Sequence, residues 1–451
     1  MNRFPPEIIS YIARCVLNDG DLDTTSMIPL THVCRYWRDS IISTPENWDL
    51  ICSEQRKLAE VGLERAKAVP LSVFLLFKIN QEFLDLLLPH APKITSLSCV
   101  GFSTVEELVQ TLPDFPGSMT NLQSLALTGS GHADWGHLVD PFDFSIHNAL
   151  RELSLSYVPL FPSMRSLRTL TKFSLFDRHF PLTLDTLLDF LEQNHSLESA
   201  SLTIKFADPS LVRSQRQTPV RGRLRRLSIT GYDVSDIQTL ISKIGLQEGA
   251  ALTLREIHRR DGGLVRILSG VSTTHLPNLS SPTFMEYQHS PASIRLFGPN
   301  GSFLYDSYID SETPFQEFDL LPLVSIRGLH LKCWGSRVLT DFRLSHFPAL
   351  EMLAIDGSST VSFLSPLLPD PTSSPSLRTL AFMDCDITED FLAHLAQIAL
   401  YREKLASTPL HRVVIVDSKG QLPPAALVER LRECVPVVEV SEGVEFPKDL
   451  L

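Results

Sequence analysis

Residues 122–127 read Leu122-Gln123-Ser124-Leu125-Ala126-Leu127, and residues 150–155 read Leu150-Arg151-Glu152-Leu153-Ser154-Leu155. Both place apolar side chains at the first, fourth and sixth positions, so the last three residues alternate as a strand with one buried face does. The pattern returns as Leu224, Leu227, Ile229; as Leu350, Leu353, Ile355; and as Leu377, Leu380, Phe382. Looser copies are Ile94, Leu97, Cys99; Leu170, Phe173, Leu175; Leu197, Ala200, Leu202; and Ile326, Leu329, Leu331. Their middle positions fall at 97, 125, 153, 173, 200 and 227, then at 329, 353 and 380, most of them 24 to 28 residues apart. A period that short implies stacked units, each burying its apolar face only against its neighbours.

Helical signals lie between the strand signals. Ser103 with Glu106 forms a capping box ahead of Val105, Leu108, Val109 and Leu112, and Ser235 with Gln238 does the same ahead of Ile237, Leu240, Ile241 and Ile244. Thr183 precedes Leu184, Leu187, Leu188 and Leu191 at the same spacing. Each repeat therefore reads as a strand followed by a helix, in the length range of leucine-rich repeats. The expected fold is α/β: a strand-helix solenoid curved into a horseshoe, spanning residues 91–420. Residues 53–90 are expected to be a linker and N-terminal cap, and 421–451, with Leu427 to Leu431 and then Val437, Val438 and Val440, a C-terminal cap. The repeat is interrupted over 245–323, which has room for about four degenerate units. That stretch reads either as repeats drifted from consensus or as an insertion that contacts a ligand. Within it, Gly-Pro-Asn-Gly-Ser at 298–302 is a turn signal.

Residues 1–52 stand outside the repeat. Phe4-Pro5-Pro6-Glu7-Ile8-Ile9 opens a segment whose second half carries Leu30, then Val33-Cys34-Arg35-Tyr36-Trp37-Arg38, then Thr44-Pro45-Glu46-Asn47-Trp48. A proline suits the first turn of a helix, and Ile8, Ile9, Ile12 and Val16 form one apolar stripe. Leu30, Val33, Cys34, Trp37 and Ile41 form another. So short a segment buries too little surface to be robust alone. The stripes therefore require either a docking protein or the first repeats beneath them.

These residues, in this order, resemble the F-box. Phe4 stands where that family usually has leucine, and the Asn18 to Asp23 insert lengthens the connection between the halves. The resemblance implies a three-helix motif that binds the adaptor of SCF-type cullin-RING ubiquitin ligases through Phe4, Pro5, Pro6, Ile8, Ile9, Ile12, Leu30, Val33, Cys34 and Trp37. More loosely, the whole chain resembles the F-box and leucine-rich-repeat proteins of mushroom-forming fungi.

Composition narrows the other classes. The 451 residues carry 52 Asp+Glu against 40 Lys+Arg, a net charge of -12, which disfavours nucleic acid as a partner. The apolar run from Val69 to Phe77 ends at Lys78, about half the length a membrane span needs. No secretory leader is expected from the Met-Asn-Arg-Phe-Pro-Pro-Glu start, which places the chain in the cytoplasm or nucleus. The seven cysteines, with no Cys-x-x-Cys pair, read as reduced and mostly buried. Sequons at Asn194, Asn278 and Asn300 are taken as accidental.

No P-loop, zinc-binding His-Glu-x-x-His, Gly-x-Ser-x-Gly or Gly-x-Gly-x-x-Gly motif occurs, so no catalytic residue, metal or cofactor is expected. His132 and His137 around Trp135 are set aside as metal ligands. Arg221, Arg223, Arg225 and Arg226, near Arg213 and Arg216, read as a solvated loop before a strand or as a basic patch. The expected function is that of a substrate receptor, with a ligase adaptor held at one end and an unknown protein target on the repeat face. A repeat scaffold or inhibitor without a ligase is the alternative.

Overall fold

The computed structural model describes residues 4–18, 27–76, 81–104, 107, 118–134, 144, 147–177, 183–205, 220–221, 223–232, 234–256, 264, 267–268, 276–288, 292–307, 321–332, 344–357, 374–385, 387–405, 408–417, 423 and 425–442. The expected helix over 105–112 apart from Glu107, the Asp19 to Asp23 part of the insert, Trp135, His137, Arg213 and Arg216 lie outside them. The chain divides into two compact units, Met1–Arg223 and Leu224–Leu451.

In the first unit, three helices, α1 (Pro6–Asn18), α2 (Met27–Thr31) and α3 (Arg35–Ser43), lead into seven parallel strands. These are β1 (Leu50–Cys52), β2 (Leu71–Leu76), β3 (Ile94–Thr104), β4 (Ser124–Asp134), β5 (Glu152–Ser156), β6 (Lys172–Asp177) and β7 (Ser199–Ile204). Each pairs with the next in sequence order. The register aligns the repeat into two apolar rows, Val73, Leu97, Leu125, Leu153, Phe173, Ala200 and Leu75, Cys99, Leu127, Leu155, Leu175, Leu202. All twelve are buried, and because side chains alternate along a strand, one sheet face makes a continuous core.

The first leucine of the pattern has a separate task. Leu122, Leu150, Leu197, Leu350 and Leu377 are buried, and each amide donates to a carbonyl three residues earlier, closing a tight turn. The next residue then donates to its counterpart one repeat back: Arg151 to Gln123 at 2.7 Å, Thr171 to Arg151 at 2.8 Å, Glu198 to Thr171 at 2.9 Å. The same relay runs through Arg327, Glu351, Arg378 and His411 in the second unit. It extends the parallel ladder one residue upstream of each strand and satisfies backbone groups that a buried turn would otherwise strand.

Two sequence expectations change here. Residues 53–90 are more than a linker and cap, because β2 already joins the sheet between β1 and β3, with α4 (Arg56–Ala66) and α5 (Gln81–Leu87) as return segments. Nor does every repeat return through a helix. Between β5 and β6 the spacing is too short, and the chain returns through a 3₁₀ turn at Pro162–Ser166, started by Pro162. Where the helix is full length, as in α6 (Leu184–Gln193), the Thr183 hydroxyl accepts from the Thr186 amide at 3.1 Å, as an N-cap does.

The second unit contains β8 (Arg226–Gly231), α7 (Val234–Lys243), β9 (Ala251–Glu256), β10 (Phe284–Gln288), β11 (Ala292–Gly298), β12 (Gly301–Ser307) and β13 (Gly328–Lys332). It continues with β14 (Met352–Asp356), β15 (Thr379–Met383), α8 (Glu389–Leu405), β16 (Arg412–Asp417), α9 (Ala425–Arg432) and β17 (Val437–Glu442). The helix α7 begins at Val234, so Ser235 lies inside it and does not cap it.

Among its described residues, the interrupted stretch departs from a purely parallel strand succession by a reversal of the chain. β9 pairs with β8 and with β12, while β11 runs antiparallel between β12 and β10, and β10 pairs in parallel with β13. Gly298 and Gly301 close a two-residue Pro299-Asn300 hairpin. A loop that short reverses the chain, whereas a parallel neighbour needs a crossover. The apolar rows nonetheless continue across it, from Leu227, Leu252 and Phe303 through Leu296 and Met285 to Leu329, Leu353, Leu380, Val413 and Val438.

Two of the three sequon asparagines are inaccessible to a glycan. Asn194 and Asn278 are each 2% exposed, with side-chain amides donating to the Phe190 and Ser302 carbonyls. Asn300 donates to the hydroxyls of Ser280 and Ser281.

Gly301 sits at φ 118° with the Ala250 carbonyl oxygen 2.0 Å from where a Cβ would lie, whereas Gly249, at φ 84°, has nothing within 4 Å. Gly301→Ala is therefore expected to lower stability by at least about 2 kcal/mol and Gly249→Ala by about 1 kcal/mol in denaturant titrations of the full chain. In the same titrations, Thr183→Ala is expected to lose the cap's ~1 kcal/mol.

Candidate docking surface

The helix α1 has two apolar faces. Ile9 and Ala13, one turn apart, are fully buried where α1 packs against α2 and α3. Ile8 and Tyr11, three residues apart, share a second face, and Phe4 lies just before the helix. Those three are exposed, Phe4 at 57% and Tyr11 at 66%. Val33 at 59%, Ile28 and Cys34 add exposed apolar or thiol groups from α2 and the turn into α3.

The helices are tied together and to the start of the sheet by polar contacts, some of them buried. The Tyr36 hydroxyl donates to the Phe4 carbonyl at 3.0 Å, and Arg38 Nε to the Thr31 carbonyl at 3.1 Å. Ser10 Oγ donates to Asn47 Oδ1 at 2.9 Å in a buried position. Asn47 Nδ2 and Trp48 Nε1 both donate to the Ile41 carbonyl at the C-terminal end of α3, at 3.3 and 3.2 Å. The Arg65 guanidinium lies 4.5 Å from the centre of the Trp48 ring, a cation–π contact from α4. Arg14 reaches Asp49, the residue before β1, at 3.5 Å. Burial pushes the Asp49 carboxyl above the ordinary carboxylate range, and Arg14 pulls it partly back.

Of the residues expected to meet an adaptor, Phe4, Pro5, Pro6, Ile8, Val33 and Cys34 are exposed, and Ile12, Leu30 and Trp37 are half-buried. Ile9 is the exception. With no exposed surface, it holds the helices together and is closed to a partner. Tyr11 and Ile28, which the resemblance does not include, are also exposed; Tyr11 follows Ile8 by three residues, a spacing that marks the shared face. The thiols also divide: Cys15 and Cys34 are exposed, against the expectation of mostly buried cysteines, while Cys52 and Cys99 are buried. Burial pushes the Cys99 thiol up. Cys333 lies outside the described residues.

Arg223, Arg225 and Arg226 are exposed at the start of β8. Among the described residues, no group of three or more His, Cys, Asp and Glu side chains could hold a metal ion, and no helix is long and apolar enough to cross a membrane.

No family model matches the chain, and no curated protein matches it. Among solved structures it is similar to the crystal structure of a TLR13–ssRNA13 complex, at 14% identity and a TM-score of 0.31, over 89% of this chain. It spans 55% of that chain's length. The strand registers given above carry the fold assignment: a mixed α/β chain with a long parallel sheet, consistent with a solenoid.

The two faces of α1 make opposite demands on neighbouring residues. Ile9→Ala is expected to cost about 2–5 kcal/mol, and Ile8→Ala less than about 0.5 kcal/mol, read by hydrogen exchange of the α1–α3 amides.

Proposed function

We propose that the chain is a substrate receptor of an SCF-type cullin-RING ubiquitin ligase, docking the ligase adaptor through the α1–α3 surface and a target protein through the strand face. The observation that carries this reading is the outward set Phe4, Ile8, Tyr11, Ile28 and Val33, gathered on one small helical cluster whose own core is closed by other residues. Exposed apolar groups carried by so small a helical cluster point to an interface. Three of the five, Phe4, Ile8 and Val33, stand at positions where the sequence resembles the F-box.

In this role the protein performs no bond chemistry. Holding a target near a ubiquitin-charged enzyme raises the effective concentration of the target's lysines, so two binding surfaces suffice and no nucleophile is required. The contacts between Ser10, Asn47, Trp48 and Ile41 support the reading further, because a receptor works by position and these bonds fix the helices to the start of the sheet. A repeat scaffold without a ligase remains the rival, and adaptor binding separates the two.

The test is capture of the full chain by purified ligase adaptor, compared with an Ile8→Asp/Val33→Asp variant. Both sites are exposed, so the variant's circular dichroism is expected to be unchanged while adaptor affinity falls about a hundredfold, at ~1–2 kcal/mol per anchor. Absence of capture by the folded wild-type chain would leave the scaffold reading.

A further inference from the structure

We draw no further inference here: the strongest candidate, the partly exposed Phe284–Phe297 pair on the face of β10 and β11 opposite the core, is bordered by cations already ion-paired to Glu286 and Asp306, so its charge favours no class of occupant and nothing in the structure shows what covers it.

Discussion

No strand in this chain can cover its own leucines. Each is five or six residues long in most repeats, and its apolar side chains are shielded only because the same positions of the neighbouring strands lie beside them in register. The two apolar rows of each unit are therefore the constraint on which the rest depends. A one-residue slip would turn every leucine to the opposite face, and the turn before each strand blocks that slip. It fixes the first leucine in the core and passes one amide to the previous repeat, so each unit is positioned by the one before it.

The same dependence explains what could be read from the sequence. Leu122, Leu125 and Leu127 announce a strand because burial on one face demands alternation, and Thr183 announces a helix because few side chains can hold a free amide there. The buried residue three places before each first leucine was not legible, since Met119, His147, Asn194, Phe347 and Ser374 share no chemistry. They share only a position that a turn must fill. The reversal between β11 and β12 was half legible: Gly-Pro-Asn-Gly reads as a turn, but the pairing of β12 with β9 is a long-range fact. Among the residues proposed for docking, sequence spacing marked the apolar helix positions but not which of them stay exposed: Ile8 does and Ile9 does not, because adjacent isoleucines on a helix lie 100° apart and only packing decides which turns inward.

The two candidate surfaces are built by different means. The helical surface is apolar because α1 carries more apolar positions than its packing against α2 and α3 can cover. The strand surface on β9–β13 carries ion pairs, Arg295 with Glu286 and Arg255 with Asp306, and it gives way along the same sheet to Ala354, Ala381, Val414 and Val416, all buried. Strands β14, β15 and β16 are thus closed on both faces, as strands of parallel sheets in α/β proteins usually are. In the first unit, by contrast, β5 keeps a strict alternation of buried and open positions.

The Pro299-Asn300 hairpin also bears on how the second unit assembles. Hairpins form locally within microseconds, whereas parallel pairing waits for a crossover to close. The β10–β11–β12 meander can therefore exist before either of its flanking parallel neighbours has arrived, as a prefabricated insert between β9 and β13. A solenoid of identical repeats can begin folding anywhere along its length. This one also holds an element, the β11–β12 hairpin, whose pairing needs no neighbouring repeat to close.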